Sequence, residues 1–165
     1  DLHKQLLCDK MTGLYNQIYL KEDFLHFLPD AGDSVALIMI KPDNFKEVND
    51  QFGHVAGDQV LNLMAIFLQS ELDENDIGVR YRGDEYAAIL PCTNKDKAFH
   101  RADGIRRAYE EMDLSTITGD VTVKLSVSIG IAIYPDDADS SGTLVAAAHK
   151  KMYAARNQGG NTILV

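Results

Sequence analysis

Tryptophan is absent from this sequence, and in 165 residues cysteine occurs twice and proline four times. The two cysteines, Cys8 and Cys92, have neither disulfide nor metal-ligand spacing. That excludes a disulfide scaffold and a cysteine zinc site, and the pair reads as reduced, packed thiols in a reducing, cytoplasmic setting. No apolar run approaches the roughly 20 residues that cross a bilayer. The longest, Val35 to Ile40, is strand length, so this segment is expected to make no membrane contact. The start, Asp1-Leu2-His3-Lys4, opens a polar, helix-like stretch rather than a signal peptide. Positive charge is also scarce: 16 Lys and Arg stand against 25 Asp and Glu, for a net charge of −9. Double-stranded nucleic acid is therefore not the expected partner, because such binding neutralises phosphates with Lys and Arg. A small nucleotide remains compatible, since one pocket can be basic on an acidic protein.

Hydrophobic residues make up 45% of the chain, enough for a full core in a single domain spanning 1–165. Residues 1–10 read as the end of a linker helix arriving from an upstream domain, with Leu2, Leu6 and Leu7 on one face. Residues 16–28 carry Ile18, Tyr19, Phe24, Leu25 and Leu28 at helical spacing, closed by Pro29-Asp30-Ala31-Gly32. The Val35–Ile40 run predicts a central strand buried on both faces. A short helix over 44–51 and a loop at 53–57 follow. A helix over 58–72 shows the stripe Val60, Leu61, Met64, Phe67, Leu68 and Leu72. Residues 77–81 and 85–90 read as a hairpin around Arg82-Gly83-Asp84. Residues 95–112 read as a helix, 121–133 as strand-rich, 143–157 as the last helix and 162–165 as a closing strand. Helices alternating with strands around one hairpin predict an α+β sandwich, a mixed sheet covered by helices.

The chemistry gathers in two segments. Residues 41–58 start at the end of the buried strand, where open sheets place ligands. They hold Asp43, Lys46, Asn49, Asp50, His54 and Asp58 with two glycines. Lys46 and loop amides can meet a phosphate, and Asn49 and Asp58 can meet a purine edge. The plainer reading is a polar loop with Asp58 as helix N-cap. The second segment is Arg80-Tyr81-Arg82-Gly83-Asp84-Glu85-Tyr86. Its adjacent carboxylates repel one another unless a cation is near, and if strand geometry persists through them they point to opposite faces. Here the plainer reading is a solvated turn.

These segments, with Asp9 to Asn16, Ser128 to Ala132 and Met152 to Arg156 plus Gly159, occur in an order and spacing that resembles the GGDEF family of bacterial diguanylate cyclases. The resemblance spans residue 9 to about 162. It implies a central five-stranded sheet related to the adenylyl cyclase palm. It also implies condensation of two GTP into cyclic di-GMP across a homodimer, with magnesium on the phosphates. By that resemblance Asn49 and Asp58 hold guanine, Lys46 and Arg156 contact phosphate, and Arg82, Gly83, Asp84 and Glu85 form the signature loop, with Asp84 a metal ligand. His54 fixes a loop rather than acting as a base.

The chain departs from the pattern at several places. The family's first metal-binding aspartate, five residues before Lys46, is Lys41 here. At an effective dielectric near 20, a unit pair about 4 Å apart is worth roughly 4 kcal/mol, and a divalent ion doubles it. Lys41 is therefore expected to approach Asp84 and take the cation's place. The first signature glycine is Arg82, and Tyr86 replaces a phenylalanine. A phosphate-binding arginine is missing at Gly160. The arginine that opens the product-inhibition site is Asp73, in the acidic run Asp73-Glu74-Asn75-Asp76. Two functions compete: an impaired GGDEF module acting through GTP, a neighbouring sensory or phosphodiesterase domain or a partner chain, and an active diguanylate cyclase using magnesium as a dimer.

Overall fold

The structure, a computed structural model, describes residues 2–27, 34–91 and 93–165. The apolar run from Val35 forms strand β1 (Val35–Pro42). It pairs antiparallel with β3 (Glu85–Pro91) on one side and with β4 (Val127–Tyr134) on the other. Outside β3 lies β2 (Ile77–Arg82), antiparallel, and outside β4 lies the short parallel β5 (Thr162–Leu164). The order β2-β3-β1-β4-β5 is the mixed five-stranded sheet of an α+β sandwich, with β1 at its centre.

Helices cover both faces: α1 (Leu2–Leu7), α2 (Gln17–Lys21), α3 (Phe45–Phe52), α4 (His54–Glu71), α5 (Lys95–Glu110), the short α6 (Ser115–Thr118) and α7 (Ser141–Asn157). Successive side chains of a strand point to opposite faces, and β1 obeys this. Ala36, Ile38 and Ile40 join Val48 of α3, Met64 and Leu68 of α4, and Ile105 and Tyr109 of α5. Val35, Leu37 and Met39 join Tyr19 and Leu20 of α2 and Leu144, Ala148 and Met152 of α7. Each such buried aliphatic side chain is worth about 1.5–3 kcal/mol over exposure. Lys41 continues the odd-numbered face, toward α7, and that placement builds the site.

Several boundaries differ from the sequence reading. The segment 16–28 is not one helix: Glu22 leaves helical geometry at ψ 167°, and a separate 3-10 turn covers Phe24–Phe27. Leu28, the Pro29–Gly32 stop and Cys92 lie outside the described residues. Of the three α1 leucines, Leu7 is buried, while Leu2 and Leu6 stand exposed. There is no loop at 53–57, because α4 starts at His54 with Gly53 as its N-cap. Asp58 therefore lies inside the helix and caps nothing. The segment 121–126 is not strand, although Leu125 is buried. Its would-be partner ends at the Pro42–Val127 pair, beyond which the chain turns into α3. The contacts left are single ones, Asp43 N donating to Ser126 O and Asn44 Nδ2 to Lys124 O.

Candidate functional site

Lys41 and the β2–β3 turn meet at one end of the sheet. Gly83 takes a positive φ of 33°, and the turn brings Asp84 back over β1. Lys41 Nζ donates to Asp84 Oδ1 at 2.9 Å and lies 3.6 Å from Glu85 Oε2. The Lys41 side chain keeps 12% of its exposure, so this ammonium is largely withdrawn from water. The juxtaposition expected of Lys41 and Asp84 is present. Strand geometry, the condition for Asp84 and Glu85 to face apart, does not persist through the pair, because Asp84 belongs to the turn rather than the strand. Both carboxylates reach one ammonium.

Glu85 is 2% exposed and carries a shell of its own. His149 Nε2 donates to Glu85 Oε1 at 2.7 Å, and Tyr153 Oη donates to Oε2 at 3.1 Å. Burial, then the charge and hydrogen bond of Glu85, raises the Tyr153 hydroxyl above its usual value and keeps it a donor. Arg82 does not reach across the pocket. Its guanidinium lies 4.9 Å over the Tyr81 ring and its Nε 3.7 Å from Glu85 Oε1. Arg80 ties the turn down, donating through Nε and NH2 to Gly83 O at 3.0 and 2.9 Å and reaching Asp9 at 3.3 Å. Asp9 also accepts from Thr12. Burial would raise its carboxyl, but the Thr12 bonds and then Arg80 outweigh that and hold it below the usual range. The hydroxyl of Tyr86, which needed a partner, donates to Leu61 O at 2.6 Å.

A third carboxylate, Asp43, lies just past β1. It accepts from Ser128 Oγ at one oxygen, and from Ser126 Oγ and the Asn161 amide at the other. Gly160 packs against it: a β-carbon there would stand 2.6 Å from Asp43 Cγ, on a backbone with φ of 77°. An arginine at this position would be strained and would collide. The missing cation and the tight turn are thus one structural fact.

The other end of the site is the corner between α3 and α4. Asn49 Nδ2 donates to His54 Nδ1 at 3.2 Å, so that ring nitrogen is the acceptor. Asn49 also lies over Gly57, where a β-carbon would sit 2.2 Å from Asn49 Oδ1. Asp58 follows on the exposed side of α4, and Lys46 and Arg156 are exposed on α3 and α7. None of these three has a side-chain partner among the described residues. The acidic run 73–76 is not bare, since Arg101 bridges Asp73 at 3.3 Å and Asp76 at 2.5 Å beside a cleft of about 510 Å³.

The sequence reading missed His149 altogether and gave Tyr153 no role. Both sit on α7 at i and i+4, with Arg156 at i+7, a helical face pointing at the signature turn. That spacing was visible, but its target 64 residues away was not.

Residues 6–162 match the family described as diguanylate cyclase, GGDEF domain. The chain is 35% identical over 154 residues to the diguanylate cyclase TpbB of Pseudomonas aeruginosa, covering 91% of this chain and 35% of that protein. It is 32% identical over 164 residues to the diguanylate cyclase VdcA of Vibrio cholerae, covering 99% and 48%. The solved GGDEF domain of TpbB superposes with a TM-score of 0.78 at 33% identity, over 94% of this chain and 92% of that one. The chain spans about a third to a half of these curated relatives' length.

Proposed function

The chain belongs to the GGDEF domain family of cyclic di-GMP signalling, and from that premise we propose that it is a catalytically impaired member, a guanine-nucleotide-binding module that regulates rather than synthesises. The observation that carries this reading is the Lys41–Asp84 ion pair at 2.9 Å. In the family, magnesium stabilises the phosphates and lowers the barrier to attack by the ribose hydroxyl.

The residues present do not fit that ion. An ammonium already sits on Asp84, Glu85 is engaged by His149 and Tyr153, and Asp43 by two serines and an amide. Among the described residues, no group of three or more His, Cys, Asp or Glu is arranged to hold a metal. Bringing a divalent ion beside Lys41 replaces an attraction by a repulsion of several kcal/mol, about 4 per unit charge at 4 Å.

Binding of the base does not depend on that corner. Asn49 offers an amide and Asp58 a carboxylate, the donor and acceptor set that a guanine edge requires. Lys46, one position into α3, and Arg156, near the end of α7, supply cations where phosphates would lie. Neighbouring domains of a longer protein, or a second copy, would read the bound state. No described helix is long and apolar enough to cross a membrane.

The test is turnover. Purified protein, dimerised by fusion, is incubated with GTP and magnesium or manganese, and cyclic di-GMP is measured. The expected rate is about a thousandfold below an ordinary cyclase, as a penalty near 4 kcal/mol implies. Product at an ordinary cyclase rate contradicts the proposal.

A further inference from the structure

We infer that this site binds its guanine nucleotide without a divalent metal, the Lys41 ammonium being the resident cation, and that magnesium weakens the complex rather than supporting it. This rests on the nucleotide-binding reading above and adds how the charge of the ligand is met. Three carboxylates, Asp43, Asp84 and Glu85, surround the end of β1. Among the described residues every one of their oxygens except Asp84 Oδ2 faces a donor of the chain itself. A site that needs a metal keeps carboxylate oxygens open for it, and here the chain has filled them. Lys41 neutralises Asp84 from inside, so an incoming phosphate does not meet a bare carboxylate pair.

The cations left for the ligand are Lys46, Arg156 and the half-exposed Arg82. A free nucleoside triphosphate carries about two more negative charges than its magnesium complex, and it is drawn more strongly to these three. The magnesium complex would also bring its ion toward Lys41.

Calorimetry with GTP separates the outcomes, in EDTA and in millimolar magnesium, for the wild type and for Lys41→Asp. The wild type is expected to bind more tightly in EDTA than in magnesium. Lys41→Asp is expected to invert the order, binding about tenfold or more tightly with magnesium, since 1.4 kcal/mol is a factor of ten. If Lys41→Asp does not fold by circular dichroism, Lys41→Met serves, with weaker GTP binding in EDTA as the expected result and unchanged binding the contrary one. Wild-type binding that falls tenfold in EDTA overturns the inference and leaves the nucleotide-binding module standing. No binding of GTP under either condition overturns both.

Discussion

The two ends of the candidate site have kept different things. At the α3–α4 corner Asn49, His54, Gly57 and Asp58 follow the family resemblance, and the first three interlock: Asn49 lies over Gly57 and is held by His54. At the β1 end the ligand positions are rebuilt. By the family resemblance Lys41 stands for an aspartate, Gly160 for an arginine and Arg82 for a glycine, and in the structure every carboxylate oxygen there except Asp84 Oδ2 meets an internal donor. Loss of function by drift would leave unpaired carboxylates around the vacated position, each costing several kcal/mol when buried. The paired Lys41 and the shell on Glu85 form instead a self-consistent end without a metal. On the proposed reading, the domain retains base recognition while giving up the charge arrangement that chemistry requires.

The comparison is broken most sharply at Lys41. Replacing it with methionine removes the ammonium shared by Asp84 and the 2%-exposed Glu85 and leaves the half-exposed Arg82 as the cation beside them. The domain should lose about 2–3 kcal/mol, the lower end of the cost of breaking a buried ion pair. Urea denaturation monitored by circular dichroism measures this, and a loss below about 0.5 kcal/mol, the value of an exposed pair, would show the pair to be superficial. At the other end, Asn49→Ala should lower GTP affinity about tenfold to thirtyfold, by leaving polar atoms of the base unpaired, with little change in thermal stability. Unchanged affinity in calorimetry would remove the α3–α4 corner from the site.

Tyr86→Phe restores the family's residue and deletes the hydroxyl that donates to Leu61 O. It should cost about 1 kcal/mol of stability and nothing in nucleotide affinity, as parallel denaturation and binding curves would report. The smallest effect belongs to Arg156→Ala. This exposed cation should weaken GTP binding by less than about 1 kcal/mol, and the difference should fade between low and physiological salt. A salt-independent loss would mean that Arg156 makes a buried contact in the complex.

What could be read in the sequence follows from where each signal lives. The Val35–Ile40 run is typical of a strand buried on both faces, and the Val60, Leu61, Met64, Leu68 stripe of a helix face, and both stand so in the structure. The opposition of Lys41 and Asp84 was legible because the family resemblance puts both on one metal site and their charges are opposite. The start of α4 was not, since Gly57 inside the helix reads as a loop residue. Its small size is needed for Asn49 on another helix, a tertiary reason with no local trace. Residues 121–126 alternate like a strand, but a strand needs a partner, and β1 has already turned away. The Glu85–His149 contact joins β3 to α7 and has no sequence signal beyond the spacing of His149, Tyr153 and Arg156.

The central claim is that the chain's own ammonium occupies the place of the catalytic cation. The direct measurement is anomalous scattering from crystals grown with GTP and manganese. The account predicts Lys41 Nζ within hydrogen-bonding distance of Asp84 and no manganese peak between them. A manganese ion ligated by Asp84, with Lys41 swung aside, would contradict it.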